Sequence, residues 1–151
     1  MPQSLSRVLV HLVFSTKNRE SVLRDKSIRG ELHAYALTVL ESIECPSLEI
    51  NSVADHIHIL CVLSRKIALM NLIEQVKTST SKWIKTKGPN YRAFHWQAGY
   101  DAFSVSESKA PEVKRYIQRQ EEHHRRLTYQ DEFRALCDRH GIAIDERYVW
   151  D

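Results

Sequence analysis

At 151 residues, 42% hydrophobic and 27% charged, the chain has one domain's length and an ordinary globular composition, which excludes a disordered polyelectrolyte and a disulfide-stapled miniprotein. A net charge of +3 permits a nucleic-acid partner without demanding one. Cys45, Cys61 and Cys137 form no C-x-x-C pair, which argues against a thiolate zinc site and points to a reducing compartment.

The first element expected is a central strand over residues 8–14, Val-Leu-Val-His-Leu-Val-Phe, continuously apolar apart from His11. This is the longest apolar run. It is too short to span a bilayer, and no signal peptide precedes it, so a cytoplasmic protein with no membrane partner is expected. Residues 26–44 follow with Ile28, Leu32, Tyr35, Val39 and Ile43 at helical spacing, and Pro46 ends the pattern. A short strand over residues 47–53 leads to a second central one over 56–63, His-Ile-His-Ile-Leu-Cys-Val-Leu. Residues 67–86 form a second long helix, apolar through Leu69, Leu72, Ile73, Val76, Trp83 and Ile84, with Lys77, Lys82 and Lys85 on its other side. Gly88-Pro89-Asn90 breaks it, and residues 94–106 read as one extended strand bulged at Gly99. A third helix over 110–126 takes Ser108 as N-cap and Pro111 in its first turn, and a short helix over 129–139 is closed by Gly141.

The order β-α-β-β-α-β defines an α+β fold, ferredoxin-like or RRM-like. A four-stranded antiparallel sheet has its first and third strands central, and two helices cover one face. The other face is free for a ligand or for the third helix. We expect one domain over 1–151, with a core at about 7–126 and a tail at 127–151.

Two features carry chemistry. On a strand, residues two apart share a face, so His56 and His58 present imidazoles side by side, roughly 7 Å apart at Cα. Either one is a satisfied interior histidine and the other is exposed, or the two are ligands of one divalent ion. On the third helix, Val113, Tyr116, Ile117 and Gln120 fall on one stripe. Tyr116 reads either as core or as a group beside that ion. Gln120 needs partners for its amide, and its carbonyl oxygen could be a third ligand. A phenolate is both nucleophile and leaving group, so its attack on a phosphodiester is reversible and needs no ATP. The ion would polarise the phosphate.

With these residues in view, the chain resembles the single-tyrosine HUH transposases of bacterial insertion sequences (TnpA-like), including their REP-associated relatives. The resemblance rests on four blocks in order: His11-Leu12-Val13-Phe14-Ser15-Thr16-Lys17; Ala54-Asp55-His56-Ile57-His58-Ile59-Leu60; Trp96-Gln97-Ala98-Gly99-Tyr100 with Phe103-Ser104-Val105-Ser106; and Tyr116-Ile117-Gln118-Arg119-Gln120. It thins after residue 126. It implies Tyr116 as nucleophile and Mg²⁺ or Mn²⁺ held by His56, His58 and Gln120. It also implies cleavage and rejoining of single-stranded DNA at hairpin-flanked ends through a 5′-phosphotyrosine, commonly by a homodimer.

Other residues have two readings. His123 and His124 could face the site, or belong to a solvated Glu-Glu-His-His-Arg-Arg run, the reading preferred here. Arg125, Arg126, Lys77, Lys82 and Lys85 could grip DNA phosphates or simply face solvent. Trp96 and Tyr100 could stack on bases or pack at a strand edge. Asp55 could orient a histidine or cap a turn, and His11 reads as a structural histidine that a neighbouring strand could bring near His56. No nucleotide-binding loop of the G-x-x-x-x-G-K-[ST] type is present, so no nucleotide cofactor is expected. The rival from another class is a non-catalytic single-strand DNA- or RNA-binding module. RNA-recognition modules carry aromatics where these central strands carry histidines. A domesticated HUH endonuclease is indistinguishable from a mobile one at this level.

Overall fold

The computed structural model describes residues 2–150. Strands β1 (Val8–Ser15), β2 (Ser47–Ser52), β3 (His56–Leu63) and β4 (Asp101–Val105) form one antiparallel sheet in the order β2-β3-β1-β4. The two most apolar strands are therefore the central pair, as expected. Alternation along them separates two layers. Val10, Leu12 and Phe14 of β1, with Ile57, Ile59 and Cys61 of β3, face helices α1 (Lys26–Ser42) and α2 (Leu69–Ile84). Leu9, His11 and Val13, with His56, His58 and Leu60, face the opposite way.

That second face is also covered. Helix α3 (Ala110–Gln118) lays Ala110 and Ile117 on Leu9 and Leu60. Helix α5 (Tyr129–Arg139) packs Tyr129, Phe133, Leu136 and Cys137 on Val13 and Phe103. Burial on both faces explains why β1 and β3 read as continuous apolar runs rather than as alternating strands.

Local chemistry sets the boundaries. The Asp25 carboxylate accepts from the N–H groups of Ser27 and Ile28 and caps α1. Gly141, at φ 68°, takes the left-handed position that ends α5. Three boundaries differ from expectation. First, β4 is only Asp101–Val105. Residues 94–100 are not strand, and Trp96 makes one bridge to Thr16 before its ring enters the core against Phe14 and Phe94. Gly99 therefore lies outside any strand, where its carbonyl accepts from Lys77. Second, Ser108 is no N-cap, because it sits inside a 3-10 turn, Glu107–Lys109, that precedes α3. Third, the helix expected over 110–126 breaks at Arg119, and α4 (Gln120–His123) follows as a separate turn. Asn51 of β2 donates to the carbonyls of Ile117 and Gln118, 2.8 and 3.2 Å away, which continued helix would otherwise occupy. Arg29 and Lys26 hold Glu121 from α1.

Candidate metal and tyrosine site

The buried face of β3 carries His56 and His58, both fully inaccessible. Their rings are 5.2 Å apart at the centroids. A buried imidazole needs partners at both nitrogens, and each has them. His56 Nδ1 is 2.7 Å from Asp55 Oδ1, so Asp55 in the β2–β3 turn orients this ring. His58 Nδ1 is 2.8 Å from His11 Nε2. The β1–β3 register pairs His58 with Val13 and leaves His11 diagonal to it, so His11 meets His58 rather than His56. With the Nδ1 atoms engaged, both Nε2 atoms point to a common centre above the sheet, the arrangement in which outer partners fix the ring and free one nitrogen for a ligand.

The far side of that centre comes from α3, α4 and α5. Gln120 is fully buried, its Oε1 3.4 Å from His56 Nε2 and 3.1 Å from His124 Nε2. The break at Arg119 does not separate Gln120 from Tyr116, since Gln120 Nε2 donates to the Tyr116 carbonyl at 3.4 Å. The phenol of half-buried Tyr116 reaches the same centre, where its hydroxyl donates to Glu132 Oε2. The four residues singled out in the sequence, Tyr116, His56, His58 and Gln120, are thus brought together from β3, α3 and α4.

Two further residues join the cluster, and the first of them, Glu132, was not singled out in the sequence. Glu132 of α5 is 1% exposed and occupies the middle of the cluster. Its Oε1 is 2.9 Å from His58 Nε2, 3.3 Å from His56 Nε2 and 3.2 Å from His124 Nε2. The signal for it was available. Tyr129, Glu132, Phe133 and Leu136 fall on one helical stripe, and an acid on an otherwise apolar stripe must be paired. Of the two readings of His124, the site-facing one holds and the preferred solvated one does not: its ring lies 4.4 Å from that of His56.

Charge follows geometry. Burial opposes the Glu132 anion, but His58, His124 and His56 outweigh it and hold the carboxyl far below the usual range. Burial also opposes a charged His56. Its bonds to Asp55 and Glu132 prevail and raise it to about 8. Burial dominates at His58 and lowers it, and at His11 burial with His58 nearby lowers it further. Burial and the Glu132 charge raise Tyr116 well above the ordinary phenol value. One ligand atom from each of His56, His58, His124 and Glu132 lies within 4.8 Å of the others. Imidazole nitrogens and a carboxylate oxygen are the donor chemistry of a divalent-metal site, so the residues present fit such an ion.

The basic residues divide. The Lys77 ammonium donates to the carbonyls of Gln97 (2.8 Å), Ala98 and Gly99 and is committed to that loop, and burial lowers its pKa to about 8. Lys82 is exposed beside the same loop, and Lys85 reaches Ser81. Arg125 and Arg126 are exposed and line a cleft with Arg24, Lys26, Asp55 and His124 that opens next to the histidines. Trp96 is buried and its Nε1 donates to Thr80, so it is core, whereas Tyr100 is exposed.

The open four-stranded antiparallel sheet with helices on its faces matches the fold of tyrosine transposases. The chain belongs to the IS200-like transposase family, whose family model matches residues 4–120. A protein of Deinococcus radiodurans R1 described as a candidate transposase is similar in structure, at 18% identity and a TM-score of 0.62, over 80% of this chain and 95% of that one. A REP-associated tyrosine transposase solved bound to a REP hairpin is similar at 12% identity and a TM-score of 0.59, over 82% of this chain and 73% of that one. At such identities the likeness establishes the fold. No curated protein matches the sequence. Among the described residues, no helix is long and apolar enough to cross a membrane.

Proposed function

We propose that this protein cuts and rejoins single-stranded DNA at hairpin-flanked transposon or repeat ends, with Tyr116 as nucleophile and a divalent ion, Mg²⁺ or Mn²⁺, held by His56, His58 and Gln120. The observation that carries this reading is the convergence of the Tyr116 hydroxyl with the two His Nε2 atoms and the Gln120 amide on one buried carboxylate. The ion, when bound, would polarise the scissile phosphate and offset the negative charge of the cluster.

The chain's own residues account for the rest. Tyr116 is held as a neutral phenol by burial and by Glu132, and Glu132 Oε2 is the acceptor its proton already faces. Attack of the phenolic oxygen on phosphorus forms the tyrosine–phosphate bond and releases the 3′-oxygen, which leaves as a hydroxyl after taking a proton. The 5′-phosphotyrosine keeps the energy of the broken bond, so a 3′-hydroxyl can reverse the step without ATP. Arg125, Arg126, Lys82 and Lys85 would hold the strand through its phosphates, with Lys77 bracing the loop beside them. The resemblance also implies a homodimer, which sedimentation would test; the cysteine spacing and the short apolar runs favour a cytoplasmic setting.

A lone tyrosine with no nucleotide-driven motor cannot open a duplex. The test is cleavage of one sequence in two forms: a single strand carrying the hairpin that flanks the gene, and its perfect duplex, each with Mg²⁺ or Mn²⁺. Nicking of the single strand alone is expected. Equal nicking of both forms would point to an ordinary nuclease.

A further inference from the structure

The family match ends at Gln120, yet two side chains beyond it, His124 and Glu132, occupy the centre of the site. We propose that this C-terminal segment completes the metal centre: His124 Nε2 and Glu132 Oε1 are ligands in addition to His56, His58 and Gln120, so that binding the ion and docking α5 on the sheet are one event. This rests on the metal-site reading above.

Three observations carry it. First, the three imidazoles are set alike. Nδ1 of His56 faces Asp55 and Nδ1 of His58 faces His11, while Nδ1 of His124 is 2.7 Å from the Leu127 carbonyl. Each ring thus presents Nε2 to the same point, although His124 lies on a different element from the other two. Such outer partners are what orient ligating histidines, and nothing in packing alone requires three rings to agree. Second, the point on which they converge is one oxygen of a 1%-exposed carboxylate. Imidazole nitrogens gathered around a buried carboxylate oxygen are a donor set for a divalent cation. Third, the two oxygens of Glu132 have different partners. Oε1 faces the imidazoles, whereas Oε2 accepts from Tyr116 and from Gln120 Nε2 at 3.2 Å. One carboxylate therefore spans the metal centre and the tyrosine, and α5 positions both.

The donor set has a consequence for the ion. Three imidazoles beside one carboxylate and the Gln120 amide oxygen favour a first-row transition ion such as Mn²⁺ over Mg²⁺, which prefers oxygen ligands and retained water.

The test is direct Mn²⁺ titration of the full chain, followed by the electron paramagnetic resonance of free Mn²⁺, with hydrogen exchange of residues 129–139 as a second readout. Wild type, Glu132→Gln, His124→Ala, Tyr116→Phe and His58→Ala are compared. Glu132→Gln and His124→Ala should each weaken Mn²⁺ binding by about 10-fold or more, the range for losing a group that supports a metal. Tyr116→Phe removes a donor to Glu132 Oε2 but no proposed ligand atom, and should weaken Mn²⁺ binding less than either of these. Mn²⁺ should slow exchange across 129–139 in wild type and not in Glu132→Gln. Equal or tighter Mn²⁺ binding by Glu132→Gln, with His58→Ala still impaired, would overturn the inference and leave the His56/His58 reading standing. Unchanged exchange across α5 in wild type on adding Mn²⁺ would overturn it even if the variants misfold. Failure of wild type to bind Mn²⁺ would remove both readings.

Discussion

At the scale of single residues, the site concentrates polar groups that are stable only in each other's company. His56→Ala and His58→Ala should each abolish strand cleavage and also lower Tm, because each takes a partner from the buried Glu132 carboxylate, while circular dichroism well below the transition should still show the folded domain. Cleavage that survives EDTA would remove the metal from the account. A second polar group tests the electrostatics away from the site. His33 of α1 bonds Ser52 at 2.7 Å, and burial, aided by Arg29, lowers it from 6.5 to about 4. The folded state thus prefers the neutral ring, so its contribution is complete above pH 6.5 and is lost as pH falls towards 4. Relative to His33→Gln, wild type should lose about 1–2 kcal/mol across that window, a figure discounted for partial solvent access, measured by urea denaturation at both ends. A constant difference would mean that His33 is not held neutral. Residue by residue, the histidine pair, Tyr116 and Gln120 were legible, because strand and helix periods put each on a definite face. The partners of His11 and His124 were not, since a diagonal contact depends on register and a helix break decides where residue 124 points.

Among elements, α5 matters most, because it closes the sheet face that the topology leaves open. Phe133 is 4% exposed between the sheet and Trp150, whose ring centroid is 5.4 Å away. Truncating it to Ala should cost about 3 kcal/mol through lost burial and a cavity. A denaturation midpoint unchanged from wild type would show that α5 is not part of the cooperative unit. The order of strands and the two long helices could be read from periodicity, because long apolar patterns repeat the same information many times. The end of α3 could not. Asn51 competes for its last carbonyls from a strand more than sixty residues earlier, and no local pattern around residue 119 records that. Strand β4 was overextended for a related reason: Phe94 and Trp96 are apolar as a strand would be, but they serve the core from outside the sheet.

For the whole molecule, a net charge of +3 is too small to steer DNA by itself, so the proposed DNA binding would rely on where the cations lie. Replacing Arg125 and Arg126 with Ala should weaken single-strand binding across sequences and flatten the log–log salt dependence by roughly 1.4, for two lost phosphate contacts. Lys77→Met, in contrast, should lower stability more than affinity, since its ammonium braces the loop at Gln97 to Gly99; a DNA titration beside a melting curve separates the two effects. In the proposed function these cations, the hairpin and the ion would all serve one chemical event, the transfer of a DNA strand to a tyrosine. The most direct measurement is therefore mass spectrometry of the protein after reaction with single-stranded DNA that carries the flanking hairpin and is labelled 3′ of the cut. The account predicts one nucleotide adduct, on the peptide containing Tyr116, absent from Tyr116→Phe and from samples with EDTA. An adduct on Tyr100 or Tyr129, or efficient cutting by Tyr116→Phe, would contradict it.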